Sequence, residues 1–214
     1  MRYTLIHPPT KGTTLITTPN PTLAYYATRA REFAASTAKV EFSAMQQRFT
    51  SLLAPGTRIL DLGCGSGRDT KAFLDAGFDV TATDGSPELC RYAQELTGIP
   101  VRNELFQDLA DVNAYDGIWA CSSILHLPKE QLADVLRRIS RALHPHGIVY
   151  TSFKHGDFEG MRNGRYFTDF TEPALRNFLA DAVPVLAIEQ LWTTGDVRPG
   201  REDEKWLNVI LRKC

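Results

Sequence analysis

Two carboxylates and three glycines carry the strongest chemical signal in this chain. The run Ile59-Leu60-Asp61-Leu62-Gly63-Cys64-Gly65-Ser66-Gly67-Arg68-Asp69 places an acid inside the end of an apolar segment, then alternate glycines, then residues suited to a helix. A strand that turns into a helix over glycines lets backbone N–H groups approach a ligand closely. In the dinucleotide fingerprint G-x-G-x-x-G the third glycine would stand at position 68. Here it comes one residue early, at Gly67, and Arg68 takes that place. Asp61 would repel a pyrophosphate and welcome a cation. The second carboxylate, Asp84, closes the segment Phe78-Asp79-Val80-Thr81-Ala82-Thr83-Asp84 and lies 21 residues after Gly63. Doubly wound folds bring an acid to ribose hydroxyls at about that interval. One carboxylate can accept two hydroxyl hydrogen bonds, which suits a diol.

Further segments follow in order. In Gly85-Ser86-Pro87-Glu88, Ser86 is a natural N-cap and Pro87 fits the first helical position. Phe106-Gln107-Asp108-Leu109, then Tyr115 to Ser123, then Leu143-His144-Pro145-His146-Gly147-Ile148-Val149-Tyr150 complete the series. Together these segments resemble class I S-adenosylmethionine-dependent methyltransferases. That cofactor carries an ammonium and a sulfonium and no phosphate.

The resemblance implies a set of site residues. The backbone of Gly63, Cys64 and Gly65 lines the methionine portion, with Asp61 near its ammonium. Asp84 holds the ribose, and Gly85 and Ser86 flank the adenosine. Gln107, Asp108 and Leu109 frame the adenine, and Ser122 neighbours the methionyl group. Arg68 either pairs with the cofactor carboxylate or is a surface cation on the first helical turn. Tyr26 resembles the family's N-terminal-helix tyrosine; it either offers the sulfonium an aromatic face or packs. The expected cofactor is S-adenosylmethionine, leaving as S-adenosylhomocysteine. Gly67-Arg68-Asp69 and the compact size are also similar to tellurite-resistance methyltransferases, in the cofactor half alone.

The surrounding elements must present these residues on one edge. Residues 1–21 read as an irregular arm and 22–35 and 38–53 as two helices, with Phe42, Met45, Phe49 and Leu52 on an apolar face. Strands fall near 57–62, 79–83, 100–104, 116–120 and 147–153, and helices near 68–76, 87–96 and 129–143. Such alternation implies parallel strands with right-handed crossovers. A short helix near 172–181 precedes two strands near 184–193 and 205–213. No helix separates these strands, so they form an antiparallel hairpin. The expected fold is a Rossmann-like three-layer αβα sandwich. The resemblance implies a seven-stranded, mostly parallel sheet with an antiparallel last strand and order 3-2-1-4-5-7-6, within one domain spanning 1–214 and a core from 57.

Composition limits the partners. With 24 Lys plus Arg against 25 Asp plus Glu, the net charge of -1 suggests no nucleic-acid footprint. No apolar run approaches the ~20 residues of a membrane helix. The N-terminus lacks a signal-peptide pattern, and the four cysteines form no C-x-x-C pair, so a cytoplasmic protein with reduced thiols is expected. No zinc spacing occurs and no metal is expected. The chain is read as a monomer or homodimer.

The acceptor is less legible. Methyl transfer from a sulfonium needs a base only if the nucleophile carries a proton. His126, just past the fourth strand, is the candidate general base; the competing role is packing on the cofactor. The segment 153–167, with Lys154, Arg162, Arg165 and Tyr166, and the hairpin loop with Arg198 and Arg201 are candidate acceptor walls. Their cations suit an anionic small molecule, since arginine binds such groups through paired hydrogen bonds. Alternatively, Arg198 and Arg201 pair with Glu202, Asp203 and Glu204. An RNA or protein acceptor, or a cofactor-binding module without turnover, are the other functional readings, and an NAD-linked oxidoreductase, disfavoured by the glycine spacing and terminal hairpin, is the remaining alternative.

Overall fold

The computed structural model describes residues 20–38, 40–198, 200–201 and 203–214. The expected arm at 1–21 lies almost wholly outside them. Helix α1 (Pro21–Thr37) starts where Asn20 accepts hydrogen bonds from the Thr22 and Leu23 amides and Pro21 takes the first turn. It kinks at Arg29. Helix α2 (Ser43–Thr50) is shorter than expected at both ends. Glu41 accepts from the Ser43 amide at 2.8 Å, which fixes a turn ahead of the helix.

Alternation then runs as the sequence requires: β1 (Arg58–Leu62), α3 (Arg68–Asp75), β2 (Asp79–Asp84), α4 (Pro87–Thr97), β3 (Val101–Asn103), β4 (Tyr115–Ala120), α5 (Lys129–Ala142) and β5 (Leu143–Lys154). A hairpin of β6 (Glu159–Arg162) and β7 (Arg165–Thr168) follows, then α6 (Glu172–Ala182), β8 (Leu186–Gly195) and β9 (Lys205–Lys213). The main sheet has seven strands in the order β3-β2-β1-β4-β5-β9-β8. Strands β1 to β5 pair in parallel; β9 runs antiparallel to both β5 and β8. This is the expected arrangement, with β8 and β9 as the terminal hairpin.

The β6–β7 hairpin was not expected from the sequence, which marked segment 153–167 as a candidate acceptor wall and assigned it no strands beyond 153. Asn163 and Gly164 sit at its tip with φ of 51° and 78°. Both central residues of a tight two-residue hairpin turn need positive φ, and Asn-Gly supplies it cheaply.

The sheet is buried on both faces. On one side Leu132, Val135, Leu136 and Ile139 of α5 pack against β1, β4 and β5. On the other, Phe49, Phe73, Trp119 and Tyr150 form an aromatic cluster, with Trp119 and Tyr150 stacked at 4.1 Å between centroids. Those fully buried rings fix β1, β4 and β5 relative to α2 and α3. The carboxyl ends of the same strands therefore form a rigid floor. Among the described residues, no helix is long and apolar enough to cross a membrane.

Candidate functional site

A large cavity opens over the carboxyl ends of β1, β2 and β4, where doubly wound sheets place ligands. Its floor is the glycine loop. Gly63 and Cys64 both donate to the Thr83 carbonyl at 2.9 Å, and Gly65 N donates to Asp84 Oδ2 at 2.9 Å. Gly63 has φ of +81°, and a Cβ there would stand 2.6 Å from Ser123 Cβ. The loop is thus pressed against β4 and tied to β2 through Asp84.

Asp84 lines the cavity at 9% exposure. Its other oxygen accepts from Ser86 N at 2.8 Å. Each carboxylate oxygen has a second lone pair for a diol. Burial pushes the Asp84 carboxyl up to about 6, against the pull of the Ser86 and Gly65 amides.

Asp61 lies deeper, 2% exposed, and accepts from Thr70 Oγ1 at 2.6 Å. Burial, with help from the nearby Asp69, pushes its carboxyl up to about 8. A ligand cation would reverse that. Asp69 accepts from Arg68 Nε and Nη2, both at 2.8 Å, from Gln46 Nε2 at 2.7 Å and from Trp119 Nε1 at 2.9 Å. Arg68 is therefore neither a surface cation nor free: it lines the cavity with Asp69 on one edge and the Phe42 ring against its face at 4.7 Å.

Several expected residues stand around the cavity. Tyr26, Gly63, Cys64, Gly65, Gly85, Gln107 and Ser122 line it, together with Leu23, Leu89, Leu105 and Phe106. Ser122 takes a positive φ of 51° and donates its amide to Ser152 Oγ at 3.0 Å. Three expected adenosine residues do not line it. Ser86 turns its hydroxyl onto the Leu89 amide as the N-cap of α4. Leu109 is buried in the core under α5. Asp108 closes a 3-10 turn, Phe106–Asp108, that presents Phe106 and Gln107 instead.

On the N-terminal side, His126 ends a 3-10 turn, Ile124–His126. Its Nδ1 lies 2.6 Å from the Tyr166 carbonyl oxygen, which can only accept, so Nδ1 carries the hydrogen. Burial lowers the imidazole to about 4 and keeps it neutral. Nε2 is then an acceptor, and Tyr26 Oη donates to it at 3.0 Å. Arg165 Nη1 donates to Tyr26 Oη at 3.2 Å. The expected lone histidine base is thus one member of a Tyr26–His126 pair, with neither ring nitrogen open. Tyr166 is also corrected: its backbone holds His126 and Thr22, while its side chain points to Glu159 and lies off the cavity.

Arg198 and Arg201 line the other wall with Lys154, Asp196 and Trp206. Arg198 pairs with Asp196, and Arg201 stands 3.7 Å from Glu204 as the pairing alternative expects; Glu202 lies outside the described residues. Asp196 also accepts from Lys154 at 3.3 Å and Trp206 Nε1 at 3.0 Å. The sequence reading missed Asp196, Trp206 and Asn208 in this wall. Asn208, a buried polar residue amid the apolar run of β9, accepts from Tyr150 Oη at 2.8 Å; that break in pattern is a usable signal.

The floor thus combines an amide loop, a carboxylate with lone pairs left over and a buried acid beneath. Residues 59–147 match the model of a methyltransferase domain. The chain is 33% identical over 109 residues to a putative methyltransferase, YqeM, of Bacillus subtilis, covering 45% of this chain and 44% of that one. It is 31% identical over 105 residues to a ubiquinone biosynthesis O-methyltransferase of Xanthomonas campestris, covering 46% and 43%. The chain thus spans less than half the length of these curated relatives. In fold it is similar to the Burkholderia thailandensis 1,6-didemethyltoxoflavin-N1-methyltransferase, solved with its substrate and S-adenosylhomocysteine, at TM-score 0.73 and 23% identity over 89% of this chain and 86% of that one.

Proposed function

We propose, from the premise that this chain is a class I S-adenosylmethionine-dependent methyltransferase, that it moves a methyl group to a small-molecule acceptor. The observation that carries this reading is Asp84, which ties Gly65 and Ser86 together at the cavity while keeping lone pairs for a ribose. When bound, the cofactor supplies an electrophilic methyl group on sulfur. Asp61 neutralises the ammonium, Arg68 pairs with the carboxylate, and Leu105, Phe106 and Gln107 hold the base.

A small acceptor is supported by how the cavity is covered. Thr22 is bonded to Tyr166 N at 2.9 Å, Tyr26 to His126, and Thr37 to Ser66 at 3.1 Å, so α1 spans the opening from the β6–β7 hairpin to the glycine loop. A large acceptor would have to displace that helix. Holding the nucleophile in line with the methyl group is the main catalytic task, worth up to ~7–11 kcal/mol in good geometries.

Where the nucleophile carries a proton, Tyr26 is positioned to take it. Its own hydroxyl proton then moves to His126 Nε2, giving an imidazolium and a regenerated phenol. Burial lowers the His126 imidazole to about 4, so the pair is a weak base, sufficient for a proton that methylation itself acidifies.

The test is incubation with methyl-labelled S-adenosylmethionine and, separately, metabolite extract, RNA and protein. Label in a small-molecule fraction alone is expected. Label in RNA or protein alone would reject the small-acceptor reading, and tight cofactor binding without transfer would point to a non-catalytic module.

A further inference from the structure

Besides Arg68 at the glycine loop, four cations line the cavity: Arg165 on the side of Tyr26, and Lys154, Arg198 and Arg201 on the opposite wall. Three are answered inside the fold. Arg198 and Lys154 share Asp196, and Lys154 and Arg201 share Glu204. Arg165 differs. Among the described residues no carboxylate pairs with it.

The Arg165 guanidinium lies against aromatic faces instead, 4.6 Å from the Tyr25 centroid and 5.1 Å from that of Phe167. Aromatic faces satisfy the flat sides of the fork but not its N–H edge. One edge donor reaches Tyr26 Oη, and Nε is buried with no partner. Arg162, on the other strand of the same hairpin, shows the contrast: it holds Asp169 through two bonds at 2.9 and 3.0 Å. Arg165 is half-buried, and a partly desolvated charge without a counter-ion is stabilised when a ligand brings one. Arg68, already at the glycine loop, is placed for the cofactor carboxylate, whereas Arg165 stands on β7 beside Tyr26.

We propose that Arg165 is the anion-binding residue of the acceptor pocket, and that the acceptor is a small molecule bearing a carboxylate or phosphoryl group. This rests on the methyltransferase reading of the cavity. Lys154, Arg198 and Arg201, already neutralised, shape the wall without binding the anion.

The test uses the full chain saturated with S-adenosylhomocysteine, with benzoate and inorganic phosphate as separate probes. The arginine Nε–H signals are followed by NMR, and that of Arg165 is identified by its loss in Arg165→Gln and Arg165→Lys. We expect one probe to move the signal saturably and to raise Tm by about 2 °C or more. Arg165→Gln abolishes the rise in Tm, and Arg165→Lys, which keeps the charge but not the fork, weakens it. Affinity for S-adenosylhomocysteine changes less than about threefold in either variant. A response to benzoate alone assigns a carboxylate, and to phosphate alone a phosphoryl group. The proposal is overturned if neither probe acts, if both variants respond as wild type, or if Arg165→Gln loses more than about tenfold in S-adenosylhomocysteine affinity. That last result would assign the guanidinium to the cofactor. Failure of the wild type to bind S-adenosylhomocysteine would instead contradict the underlying methyltransferase reading.

Discussion

Tyr26 Oη lies 3.0 Å from His126 Nε2 and joins two elements a hundred residues apart in sequence. The bond leaves His126 without an open nitrogen and makes Tyr26 the polar atom the pair offers to the cavity. The two side chains should therefore act as one unit. Tyr26→Phe and His126→Ala are each expected to lower kcat by about 10²-fold on a proton-bearing acceptor, and the double variant to be little worse than either. Steady-state rates of the three variants check this. Losses that multiply would mean the residues act independently.

The buried acids make the ligand-free protein sensitive to pH in an unusual direction. Asp84 and Asp61 are pushed up to about 6 and about 8, against about 4 in an unfolded chain. The folded state then binds more protons than the unfolded state between those limits. Stability contributed by these groups accordingly falls as pH rises from about 4 to 8. Asp61→Asn is expected to flatten the upper part of that fall, and S-adenosylhomocysteine, through its ammonium, to flatten it in the wild type. Parallel Tm curves for wild type and Asp61→Asn across this range would contradict the assignment.

Asp196 behaves oppositely. Although burial raises its carboxyl, the hydrogen bonds from Arg198 and Trp206 outweigh it and hold the group well below the usual range. Its contribution to stability is present above about pH 4 and is lost as pH falls below that. The side chain is 2% exposed, so Asp196→Ala strands Arg198 beside a hole and leaves Lys154 with Glu204 alone. We expect a loss of about 3 kcal/mol in denaturant unfolding at pH 7. A change under about 0.5 kcal/mol would show a solvated turn instead.

Gly63→Ala tests the loop itself. The new methyl group would meet Ser123 Cβ at 2.6 Å and force a left-handed backbone onto alanine. The strain alone is worth roughly 1–2 kcal/mol, and overpacking adds roughly 1–3. A loss of at least about 2 kcal/mol in stability and of measurable cofactor binding is expected. Wild-type affinity in this variant would mean that the loop does not approach the ligand.

Much of this site is legible in the sequence because it depends on local rules. Glycines that need positive φ, acids that end strands, and Ser86-Pro87 at a helix start are set by residues next to them. The same alternation of apolar strands and amphipathic helices implies parallel strands with crossovers, whereas the sheet order was expected from the family resemblance. What escaped reading depends on distant partners. His126 is paired by a tyrosine from α1, and Arg68 is turned inward by Asp69, which Trp119 and Gln46 also hold. Leu109 faces the core rather than adenine because α5 covers it. The β6–β7 hairpin is a different case: Asn163-Gly164 is a local turn signal, masked by the charged and glycine-rich residues around it.

The most direct test of the central claim is calorimetric titration of the purified chain with S-adenosylmethionine, S-adenosylhomocysteine and NAD. The predicted result is one-to-one binding of the first two with Kd near the micromolar range, about -8 kcal/mol, and no heat from NAD. Binding of NAD with none of the other two would contradict the reading of Asp61, the glycine loop and Asp84 as an S-adenosylmethionine site.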